Sequence, residues 1–135
     1  MSKMKVTSPL PVKILAVLLF VFGVFAFVGS LFLWGEGFLF YFPEDVDYSF
    51  PLADLLVNAP ASILAGVGLW KLKRYGFVAS QFCAGFYLYA SVKIFALVGQ
   101  GDLPVSIEGI LPQAIAVVAA FFLIFYLWRV QDLFK

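Results

Sequence analysis

The chain has 135 residues, of which 64% are hydrophobic and 13% charged, and its formal net charge is +1. Soluble domains run roughly 45–50% apolar and about 25% charged, so this apolar excess excludes both a water-soluble monomeric globule and a disordered chain. The small net charge excludes a nucleic-acid partner held by a broad basic field. With no histidine and one cysteine, Cys83, the zinc, haem–histidine and Cys/His nucleophile chemistries lack their parts.

A bilayer core about 30 Å thick requires roughly 20 apolar residues of helix. Four stretches meet that requirement, and they predict an all-α, four-helix transmembrane bundle forming a single integral membrane domain over 1–135. The first covers 14–34, carries no charge and is closed by Gly35, Glu36 and Gly37. Lys3, Lys5 and Lys13 precede it as they would a signal peptide. About 21 apolar residues exceed a signal h-region, however, so the helix is expected to be retained.

Between the first and second stretches lies an aromatic run, Phe38 to Phe42, expected at the membrane interface, and then Glu44, Asp45 and Asp47. The acidic cluster lacks the spacing of a calcium loop and reads as solvated, so no metal site is expected. The second span, 52–70, opens after Pro51 and stops at Lys71, Lys73 and Arg74. Those three basic residues are a possible contact for anionic lipid. The third span, 76–98, follows after only about five residues, which makes spans two and three antiparallel neighbours. The fourth, 105–128, contains Pro112 and ends at Arg129.

Lipid enforces helix here even though many residues are Val, Ile and Phe. Every backbone polar group must be satisfied within the segment or in a closed barrel, and the short alternating strands of a barrel are absent. Eight of nine basic residues precede span one, join spans two and three, or follow span four. The positive-inside rule then predicts cytoplasmic termini, with Trp70 and Trp128 anchoring inner ends and Trp34 an outer one.

Small residues suggest the packing seams. Ala61, Ser62, Ala65, Gly66 and Gly68 in span two are expected against Ala79, Ser80, Cys83, Ala84 and Gly85 in span three. Gly23, Ala26 and Ser30 in span one and Ala116 and Ala120 in span four extend the pattern. Phenylalanines lie all round spans one and four and are expected to meet lipid, as are Phe27 and Leu123.

Ionisable groups at membrane depth are costly and mark candidate sites. Asp54 sits just inside the outer end of span two, with Asn58 one turn deeper and Pro60 placed to disturb the helix beside them. Lys93 lies near the outer end of span three, at matching depth for a pair with Asp54. One reading is an outer ion or polar-solute site made of Asp54, Asn58 and Lys93. The simpler one makes Asp54 a helix start and Lys93 a snorkelling side chain. Gln113, Tyr87 and Ser91 are expected to hydrogen-bond between helices, and Cys83 to be inert.

No catalytic constellation, phosphate loop or cofactor motif is present, so no enzyme activity and no cofactor are expected. The leading expectation is a small multi-pass membrane protein of the cell membrane, a non-enzymatic accessory or interaction subunit with a protein partner. It rests on bundle-like packing features and on the lack of any deep polar site. The alternative is a homo-oligomeric small transporter or channel using Asp54, Asn58 and Lys93.

Overall fold

The computed structural model describes residues 9–35 and 52–135, which form four long helices and no strand. The aromatic run 38–42, the acids Glu36, Glu44, Asp45 and Asp47, and the lysines Lys3 and Lys5 lie outside the described residues. Helix α1 is Leu10–Gly35, α2 covers 52–70, α3 is Arg74–Gln100 and α4 covers 107–129. The described boundaries fall within four residues of those expected.

Stretches of α1, α3 and α4 are each long and apolar enough to cross a membrane: Leu10–Phe32, Arg74–Gln100 and Gly109–Arg129. The apolar stretch of α2, Asp54–Trp70, is shorter. At about 1.5 Å per residue it lies at the lower limit of a spanning helix.

Local chemistry explains the helix ends. Ser106, extended in backbone, accepts from the Gly109 N–H at 3.1 Å and so caps the start of α4. Gly101 closes α3 at φ +84°, a left-handed conformation that a Cβ would strain. Leu72 adopts φ +52° in the tight α2–α3 turn without that glycine freedom.

Backbone approach is extensive between α1 and α2, α2 and α3, and α3 and α4, while α1 and α4 have no comparable seam. The α2–α3 seam is closest at Gly68 and Gly76, where a Cβ on either would collide with the other's backbone. Ser62, Ala65, Ser80, Cys83 and Ala84 are buried along the same pair, as their small size implied. Two expectations need correction. Gly66 turns toward α1, where its Cβ would lie 2.7 Å from the Ala16 carbonyl oxygen, so span two uses small residues on both faces. Gly85 is exposed with open space around it and belongs to no described seam.

The core is dense at one end of the bundle, where Leu15, Leu19, Leu69, Leu123 and Leu127 interlock. Leu123, expected to face lipid, is only 1% exposed, because α4 turns it toward α1 and α3. The aromatic expectation holds better: Phe27, Phe121, Phe122 and Phe125 all lie on the outer surface.

This same end carries the described basic residues other than Lys93. Lys13 places its Nζ 4.8 Å from the centre of the Trp70 ring. The Arg74 N–H donates to the Lys135 carbonyl at 3.2 Å, and the Lys135 N–H donates to Leu72 at 3.1 Å. The chain terminus is thereby tied to the α2–α3 turn, and Phe134 packs 5.6 Å from Phe77, which meets Trp128 edge-on. Charge is unevenly distributed along the bundle: one end is basic apart from Asp132, and the opposite end has Asp54, Asp102 and Lys93.

Candidate functional site

Toward the end opposite the basic residues the four helices part around a cavity of about 450 Å³. Every helix contributes. Phe22, Phe25 and Ser30 come from α1, Asp54 and Asn58 from α2, Phe86, Tyr87 and Ser91 from α3, and Pro112 and Gln113 from α4. Phe22 and Tyr87 stand edge to face, ring centres 6.3 Å apart, and separate this space from the dense core.

A connected chain of polar groups enters it from α2. Asn58 Nδ2 donates to Asp54 Oδ1 at 3.0 Å, and Ser62 Oγ donates to Asn58 Oδ1 at 2.9 Å. Ser62 Oγ lies 2.6 Å from the Tyr87 hydroxyl on α3. A hydroxyl has one hydrogen, and Ser62 gives its own to Asn58, so Tyr87 donates to Ser62. Every donor therefore points toward the Asp54 carboxylate, and the links polarise one another in the same direction. Cys83 Sγ, 3.8 Å from Ser62 Oγ, sits beside this chain and not in it.

Backbone geometry holds the start of the chain in place. Residues Asp54–Asn58 form a π turn, with the Ala59 N–H bonded to the Asp54 carbonyl. Pro60, which follows immediately, has no N–H to continue the ordinary ladder. The expected disturbance by Pro60 therefore takes the form of a π turn, a distortion common at functional positions. On the far wall Ser91 Oγ donates to Gln113 Oε1 at 3.2 Å and ties α3 to α4.

Of the expected site residues, Asp54 and Asn58 share the cavity and Lys93 does not line it. The cavity face of α3 runs through Phe86, Tyr87, Ala90, Ser91 and Ile94, and Lys93 lies about a quarter-turn off that face. Oδ1 of the Asp54 carboxylate accepts from Asn58 Nδ2. In the sequence Ser62 reads as a packing residue. Its spacing of four from Asn58, itself four from Asp54, was the signal for a polar stripe. The described lining contains one carboxylate and no Lys or Arg. It is negative, aromatic-rich and able to offer hydrogen bonds.

A second polar contact serves structure. Gln81 Nε2 donates to the Leu123 carbonyl at 2.6 Å, and Trp128 Nε1 donates to Gln81 Oε1 at 3.1 Å. Leu123 lies in a π segment, Phe122–Tyr126, whose altered ladder makes such a carbonyl available. Comparison of the chain with protein-family models, with curated proteins and with solved structures finds no match, so any function has to be read from this geometry.

Proposed function

We propose that the protein is a non-enzymatic, multi-pass integral membrane protein of the cell membrane that binds a small organic cation in the cavity between its four helices. Its basic end and both termini lie in the cytoplasm, and the cavity faces the outer half of the bilayer. The observation that carries this reading is a cavity of about 450 Å³ lined by three phenylalanines, a tyrosine and one oriented carboxylate, with no basic side chain among its described lining. Aromatic faces attract organic ammonium groups, and a carboxylate in a poorly hydrated site favours a cationic occupant over an anionic one.

An accessory-subunit role drew its support from the lack of a deep polar site. The Asp54–Asn58–Ser62–Tyr87 chain supplies such a site and moves the preference to solute binding, with transport by an oligomer as its extension. The test is titration of the purified protein in detergent with tetramethylammonium and tetraethylammonium, followed calorimetrically. Saturable binding is expected, weakened at least about tenfold by Asp54→Asn and retained in Lys93→Met. Flux of the same cation into proteoliposomes separates transport from binding alone. No binding to the wild-type protein, together with a copurifying protein partner, would return the accessory role to first place.

A further inference from the structure

At the basic end a second, smaller space lies between α1 and α2, about 230 Å³ in volume. Its walls are apolar, with Val17, Phe20 and Val67 along its length, and Trp70 and Lys71 at its mouth. Its shape follows from sequence. Gly66 sits against the Ala16 backbone, so the two helix backbones approach closely there and the larger side chains on either side leave a furrow. Trp70 is half exposed, and the Lys13 ammonium lies 4.8 Å from its ring centre. Two ammonium groups, from Lys13 on α1 and Lys71 beyond α2, thus flank the end of an apolar furrow that opens on the bundle surface.

We infer that this furrow is a binding site for one anionic phospholipid of the leaflet at the basic end. One acyl chain lies along Val17, Phe20 and Val67, and its phosphate sits between Lys13 and Lys71. The charge pattern selects this occupant. A neutral lipid gains only the furrow, a free phosphate gains only the lysines, and an anionic phospholipid gains both. The indole of Trp70 belongs at the headgroup level, where its ring packs on the chain and its N–H reaches the interface. The inference does not depend on the cation-binding reading, because the two spaces share no described lining residue.

Trp70 reports on this site directly. In a Trp34→Phe, Trp128→Phe background, only Trp70 fluoresces. The protein is reconstituted in vesicles of phosphatidylcholine containing dibrominated phosphatidylglycerol or, in parallel, dibrominated phosphatidylcholine. Bromine on an acyl chain quenches only when that chain is in contact. Brominated phosphatidylglycerol should quench at lower mole fraction than brominated phosphatidylcholine, about fivefold lower for each lysine engaged. Lys13→Gln with Lys71→Gln should remove the preference, whereas Lys73→Gln with Arg129→Gln should leave it. Val17→Phe, which fills the exposed furrow and spares both lysines, should reduce quenching by either lipid. Inorganic phosphate should not reverse the quenching.

Equal quenching by the two lipids would overturn the inference. So would equal loss of preference in the two double variants, which would mean that a diffuse basic field attracts the lipid. A near-ultraviolet circular dichroism spectrum unchanged from the background protein shows that each variant has kept its packing. If Lys13→Gln with Lys71→Gln fails that check, the Val17→Phe and phosphate arms decide the matter in the background protein.

Discussion

At the scale of single residues the most consequential position is Ser62. It is fully buried, donates along its own helix to Asn58 and receives the Tyr87 hydroxyl from α3. It thereby links the packing seam to the cavity. Interhelical hydrogen bonds in membranes are modest, averaging about 0.6 kcal/mol, because the separated helices also find partners. Ser62→Ala and Tyr87→Phe should each cost about 1 kcal/mol in a detergent unfolding measurement. The double variant should cost clearly less than the two combined, since both changes remove the same link. Additive losses would show that the two hydroxyls do not communicate. The variants should also weaken cation binding without abolishing it, because Asn58 still holds the carboxylate.

At the scale of elements the seams differ in what they tolerate. At Gly68 and Gly76 the backbones touch, so Gly76→Ala forces α2 and α3 apart and should lower thermal stability strongly, by several kcal/mol. Ala84→Leu, in the same buried seam, should do the same. Phe125→Ala, on the outer surface, loses only contacts that lipid replaces and should be nearly neutral. Leu123→Ala opens space in the dense core and belongs with the costly group, about 2–5 kcal/mol. Equal tolerance of Gly76→Ala and Phe125→Ala in detergent melting would refute this packing. The π segment of α4 has its own check. Gln81→Leu removes the donor to the Leu123 carbonyl and the acceptor for Trp128, and should shift Trp128 emission as well as lower stability.

For the whole molecule the governing feature is the gathering of the described basic residues, Lys93 apart, at one end, with a dense core near it and a cavity toward the other. The proposed threading makes a definite prediction for impermeant thiol reagents. In a Cys83→Ser background, cysteine at Ser106 should react from outside the cell, and cysteine at Lys73 only after the cytoplasmic face is opened. The opposite sidedness would refute the threading and put the cavity in the other leaflet. Lys135 contributes to the basic end through its backbone bonds to the α2–α3 turn. Deleting residues 133–135 should destabilise the bundle, with the loss read in Trp128 fluorescence, because Phe134 packs on Phe77 beside that ring.

Composition, run length and charge placement by themselves determined that the described chain is helical, that it has four apolar segments and roughly where each begins and ends. These are properties of a chain meeting lipid: the hydrocarbon demands an internally satisfied backbone, and each run is read without reference to its neighbours. The small residues of spans two and three likewise announced close packing, since few other uses exist for them there. Which way each faces was decided only in the tertiary structure. Gly66 turned to α1, Leu123 turned inward and Lys93 lay off the cavity face, because rotation about a helix axis is set by the partners on every side at once. Depth along a helix can be counted in the sequence, and it placed Asp54 and Lys93 level. Azimuth cannot be counted when apolar residues go all round, and azimuth gave Asp54 to Asn58 and the aromatic cavity.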